Sequence, residues 1–135
     1  MAGAVAHRGR LMHVGRRQRT AGDNAGMTVQ IVFCTCPDAA TADRLAAALV
    51  DERLAACVNL LPGLTSIYRW QGRIQREAEV LLLIKTTADR LPALRARLVE
   101  LHPYELPELV AVEAVAGLPA YLDWVVTETR ETPAS

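Results

Sequence analysis

Alternating and helical spacings of apolar residues succeed one another along this chain, and each change of period marks an element. Val29, Ile31 and Phe33 alternate with Gln30, Val32 and Cys34, which predicts a strand apolar on both faces, as a central strand must be. Pro37 stops it. Asp38 is placed to cap a helix running through Glu52, whose stripe Ala42, Leu45, Ala46, Leu49 and Val50 follows the i, i+3, i+4, i+7, i+8 spacing. Alternation returns in a second strand from about Ala55 to Ile67, continued by Tyr68-Arg69-Trp70. Within it, Pro62 lacks an N–H and Gly63 is permissive, which marks a bulge or an edge. Gln71-Gly72 turns the chain into Arg73-Ile74-Gln75, and the unbroken run Val80-Leu81-Leu82-Leu83-Ile84 reads as a buried third strand over Glu79 to Thr86. A second helix is expected from Asp89 to His102, with Leu91, Leu94, Leu98 and Leu101 on one face and Pro92 in the first turn. Leu109 to Val115 reads as a fourth strand, and Pro119 to Glu128 as a short terminal helix presenting Leu122, Val125 and Val126.

The order β-α-β-β-α-β followed by a helix is the split pattern of an α+β, ferredoxin-like sandwich, with a long hairpin joining the second and third strands. Both central helices then cover one face of an antiparallel sheet. The other face is expected to be apolar as well, through Val32 and alternate positions of the Val80 to Ile84 run, and an exposed aliphatic face of that size is an aggregation liability. Self-association into an oligomer resolves it.

Composition narrows the class. The 135 residues are 51% hydrophobic with only six aromatics, so one domain with an aliphatic core is expected. No apolar run approaches the roughly 20 residues that span a bilayer, which predicts no membrane association. A net charge of zero conceals an asymmetry: residues 1–26 carry five Arg against Asp23, whereas residues 27–135 hold ten basic and fourteen acidic side chains. The acidic part offers no electrostatic footprint for nucleic acid. Residues 1–26, Arg-rich and without hydrophobic period, are expected to form a disordered arm; they have the acid-poor composition of a transit peptide, and Met27 is a second candidate start. Three cysteines, an odd number, argue against a disulfide framework and for a reducing, cytoplasmic setting.

Chemistry concentrates in a few places. Cys34 and Cys36 are two apart on a strand end, so both side chains leave the same face and can share one thiophilic ion; otherwise Cys34 is a core residue beside a loop Cys36. In His102-Pro103-Tyr104-Glu105-Leu106-Pro107-Glu108 a soft-metal ligand, two carboxylates and a phenol lie between helix-stopping prolines, which puts His102 at a helix C-terminus. Lys85, the only lysine, stands at a strand end, where pairing with Glu105 or anion binding competes with a capping role for Thr87 or Asp89. Tyr68, Arg69 and Trp70 offer an aromatic wall or interface anchors. Cys57 reads as core packing, and Asn59, a polar amide in an apolar strand, requires a partner. No G-x-S-x-G, Gly-rich phosphate loop or H-E-x-x-H motif occurs, which argues against an enzyme.

Taken together, Cys34-Thr35-Cys36-Pro37-Asp38, Leu54-Ala55-Ala56-Cys57-Val58-Asn59, Ser66 to Gly72, Leu83 to Thr87, the His102 segment and Tyr121-Leu122-Asp123-Trp124 resemble, in order and separation, the CutA divalent-cation tolerance family from about Thr28 to Trp124. The resemblance implies a compact homotrimer in which the long hairpin reaches neighbouring subunits, and copper binding at the positions of Cys34 and His102. Where some members carry a second histidine, this chain has Leu101, so any site built on adjacent histidines is incomplete. The expected function is a non-enzymatic, cytoplasmic homotrimeric metal-binding protein contributing to divalent-cation tolerance, with copper foremost and other divalent cations left open. The alternative is a trimeric sensor resembling PII signalling proteins, which would hold a small ligand at a subunit boundary through Lys85 and Arg69 and act on a regulatory protein partner.

Overall fold

The computed structural model describes residues 25–131. Four strands, β1 (Val29–Cys36), β2 (Cys57–Trp70), β3 (Arg73–Thr87) and β4 (Val110–Glu113), alternate with three α-helices, α1 (Ala39–Asp51), α2 (Leu91–Leu101) and α3 (Pro119–Glu128). The strands form one antiparallel sheet in the order β2-β3-β1-β4. β1 and β3 are therefore the central strands, as their two-sided apolar patterns require. The expected arm over residues 1–26 lies outside the described residues except for its last two.

One face of the sheet carries Val32, Cys34 and Cys36 from β1 with Val80, Leu82 and Ile84 from β3, packed against Ala42, Leu45 and Leu49 of α1 and Leu94 and Leu98 of α2. Each fully buried Leu or Ile here stabilises the fold by about 1.5–3 kcal/mol relative to exposure. Val32 thus belongs under the helices, which corrects its assignment to the second face. A run apolar on both sides carries no sign of which parity faces in. The second face is built instead by Ile31 and Phe33, in register with Lys85 and Leu83. Val112 and Val110 of β4 stand opposite Ile31 and Phe33 and are 45% and 55% exposed. At one end of this face α3 packs Val125 over Val29 and Ala56.

Helix boundaries follow local chemistry. The Asp38 carboxylate accepts the Thr41 N–H at 2.7 Å and caps α1 as expected. A 3₁₀ turn at Ala88–Arg90 precedes α2, so its α-helical part begins at Leu91 rather than Asp89. Val50 and Leu101, both placed on buried stripes from spacing, are exposed. Thr87 makes no capping bond; its hydroxyl donates to Asp89, while Arg130 grips both oxygens of Asp89 at 2.6 and 2.8 Å. This ties the end of α3 to the start of α2.

The register between β2 and β3 shifts between Leu61 and Leu64, so Pro62-Gly63 is the bulge its composition suggested. Beyond Val80, the last partner of β1, β3 has only β2 for a neighbour and the two continue as a free hairpin. Gln71 (φ 51°) and Gly72 (φ 78°) both adopt left-handed backbone at its tip, the two-residue turn that matches strand twist. Ile67 and Ile74 on this arm are more than half exposed.

Candidate metal centre

Pro37 ends β1 immediately after Cys36, and period-two geometry sends Cys34 and Cys36 to the helix face, where both are wholly buried. Cys36 is therefore a strand-end residue and not a loop residue. Pro103 forces His102 out of helical geometry to φ −78°, ψ 137°, although its N–H still closes the last turn on Leu98 O at 2.9 Å. The imidazole is thereby delivered against the end of β1, 66 residues away in sequence from Cys36. The two thiol sulfurs and a ring nitrogen of His102 lie within 4.8 Å of one another, all three side chains being buried. Among the described residues this is the cluster with ligand geometry for a metal ion.

Both ring nitrogens are occupied. Nδ1 accepts the Tyr104 N–H at 3.1 Å, which leaves Nε2 protonated and donating to the Thr35 carbonyl at 2.8 Å. Nε2 also stands 3.7 Å from Cys36 Sγ. The two thiols titrate as a pair. A hydrogen bond from Cys34 to Cys36 pushes the Cys34 thiol up, with burial adding to it, and the same bond brings Cys36 down. Cys36 is thus the readier thiolate. Two soft sulfurs and an imidazole suit copper, zinc or another thiophilic ion rather than the oxygen-seeking Mg²⁺ or Ca²⁺.

Beside this centre a cleft of about 440 Å³ opens between the hairpin and the segment after α2, lined by Tyr68, Trp70, Gln75, Glu77, Pro103, Tyr104, Glu105 and Leu106. Tyr104 belongs to both places. Its ring lies 4.8 Å from that of His102, and its hydroxyl donates to Glu79 at 2.6 Å. Burial first, then the Glu79 carboxylate, pushes the Tyr104 phenol up. Tyr68 donates likewise to Glu77 at 2.7 Å.

The structure thus brings together Cys34, Cys36 and His102, and separately Tyr68, Trp70, Tyr104 and Glu105. It does not bring Lys85 or Arg69 to either group. The Lys85 ammonium donates to Asn59 Oδ1, which also gives that amide its expected partner, and the proposed pairing with Glu105 is not formed. Arg69 lies between Tyr68 and Trp70 on an extended strand, so it points to the opposite side. Cys57 is buried beside Tyr121 of α3, in accord with a packing role. Glu79 was missed by sequence reasoning, although a carboxylate at the mouth of an apolar run is a signal that a buried acceptor is needed.

Residues 30–128 match the family described as CutA1 divalent ion tolerance protein. The chain belongs to that family. It is 51% identical over 100 residues to the divalent-cation tolerance protein CutA of Thermus thermophilus, a match covering 74% of this chain and 97% of that protein. Human protein CutA is 46% identical over 104 residues, which are 76% of this chain and 58% of the human one. The crystal structure of CutA from Xylella fastidiosa superposes with a TM-score of 0.75 at 51% identity, covering 76% of this chain and 99% of that one. CutA1 is thus both the sequence family and the fold. The family name records a tolerance to divalent cations, not a catalysed reaction.

Proposed function

We propose that this CutA1 chain is a non-enzymatic, cytoplasmic homotrimer that binds copper through Cys34 and His102 and so contributes to metal tolerance. The observation that carries the reading is the convergence of a thiol from the end of β1 and an imidazole from the end of α2 in one buried cluster. Copper is favoured because thiolate and imidazole are its preferred side-chain ligands, whereas Glu105 and Glu108 suit harder ions. The second sheet face, with Ile31, Phe33, Leu83, Val110 and Val112, supports self-association, since an aliphatic surface of this kind is stable in water when a second subunit covers it. Free cysteines fit a reducing compartment. The sensor alternative has no comparable observation behind it, since neither Lys85 nor Arg69 is among the residues that line the cleft within one chain.

Copper titration of the parent, Cys34→Ser and His102→Ala tests the reading. Both variants are expected to bind more weakly while remaining trimeric, with Cys34→Ser the more damaging for Cu(I). Parent-like affinity in both would remove the proposed site.

A further inference from the structure

Cys36 adds a donor that a two-ligand site does not use. It shares a face with Cys34, is as deeply buried, and its sulfur stands 3.7 Å from Nε2 of His102. Three atoms bound at about 2.0–2.3 Å around one ion stand roughly 4 Å apart in a trigonal plane. A spread of no more than 4.8 Å therefore needs only small side-chain rotations to close on an ion. The surroundings are chiefly aliphatic, Val32, Val80, Leu82 and Leu98 belonging to the same buried cluster, and the nearby buried carboxylate of Glu79 is engaged by the Tyr104 hydroxyl. Among the described residues the ligand group ends at three.

We propose that Cys36 is a third ligand and that the completed S₂N site takes a monovalent, thiophilic d¹⁰ ion, with Cu(I) as its representative, in preference to a divalent ion. The proposal rests on the reading of Cys34 and His102 as ligands and specifies the ion they hold. Structural Zn²⁺ takes four ligands, Cu²⁺ favours tetragonal nitrogen and oxygen sites, and Mg²⁺ or Mn²⁺ seeks six oxygens. A buried, three-donor pocket rich in sulfur falls short of the ligand number or type that each of these prefers and fits the low coordination number of Cu(I). Each thiol that ligates releases its proton to solvent. Nε2 becomes a ligand as a neutral imidazole when its proton is given up and Nδ1 carries one instead. The Tyr104 N–H, itself a donor, then leaves Nδ1, so the Tyr104 amide reports on occupancy.

The test is anaerobic competition for Cu(I) against a chromophoric chelator, using the full chain as parent, Cys36→Ser, Cys36→Ala, Cys34→Ser and His102→Ala. X-ray absorption of the Cu(I)-loaded parent counts sulfurs, and amide NMR follows Tyr104. Loss of an outer hydrogen-bond partner weakens metal sites by 10–100-fold, so loss of a ligand should lower Cu(I) affinity by about a hundredfold or more in both Cys36 variants. The parent should show two sulfurs and one nitrogen, a displaced Tyr104 amide, and little competition from Zn²⁺. The Ala variant, which buries no hydroxyl, secures the comparison if Cys36→Ser misfolds. One sulfur in the parent with undiminished binding in the Cys36 variants would overturn the third ligand while leaving a Cys34–His102 site standing, provided those two substitutions still weaken binding. Equal affinity for Zn²⁺ would overturn the choice of ion. Indifference to all four substitutions would instead overturn the underlying two-ligand reading.

Discussion

Replacing Tyr104 with Phe removes one hydroxyl and should cost far more than its size suggests. The hydroxyl donates at 2.6 Å to Glu79, a carboxylate only 7% exposed. Hydrogen bonds to charged groups contribute about 1.5–3 kcal/mol, and breaking one partner leaves the other buried without compensation. A loss of about 2 kcal/mol is expected for Tyr104→Phe. Removing the carboxylate too, in Tyr104→Phe/Glu79→Leu, should recover part of it, with a coupling energy of at least about 1.5 kcal/mol. Urea unfolding of the parent, both single variants and the double variant gives that coupling at neutral pH and one fixed protomer concentration, since mass action alters the apparent stability of an oligomer. The phenol's folded pKa lies above its ordinary 10.0, so this stabilisation is complete below that pH and declines as pH rises beyond it. A coupling below about 0.5 kcal/mol, within ordinary additivity, would refute the claim that Tyr104 and Glu79 form a closed polar pair.

Two further outcomes follow from other contacts. Arg130 chiefly holds the Asp89 carboxyl down from 3.8 to about 2; this sets an upper bound of roughly 2.4 kcal/mol, which screening of a side chain 39% exposed reduces to about 1 kcal/mol. Because the folded value is depressed, that stabilisation is present above about pH 4 and vanishes towards pH 2, so thermal melts of Asp89→Asn should be lower than the parent's at neutral pH and converge with it in acid. Cys57→Ala should cost about 1 kcal/mol in denaturant unfolding while leaving copper stoichiometry unchanged, because Cys57 is packed under α3 and apart from the sulfur cluster.

Much of this architecture could be read before any coordinates, wherever one local rule dominated. Asp38 capped its helix, Pro62-Gly63 made a bulge, and Pro103 ended α2 at the residue that presents the imidazole. Reading failed where two rules gave the same pattern. Val32 and Ile31 are equally apolar, and alternation alone does not tell which of them meets the helices. Cys36 before a proline reads equally as a strand end or a loop, and its proximity to His102 is a tertiary fact created by β1 and α2 meeting at one end of the core. For Lys85 the sequence left pairing with Glu105 open beside other roles; its strand parity turns it to the second face, where Asn59 Oδ1 accepts a hydrogen bond from its ammonium.

Native mass spectrometry, on protein purified without added metal and then offered one equivalent of copper per chain, tests the central claim most directly. Three chains carrying up to three copper ions are predicted for the parent, and three chains with little or no retained copper for Cys34→Ser/His102→Ala. A well-folded monomer would contradict the trimer, and a trimer whose double variant retains as much copper as the parent would contradict the site.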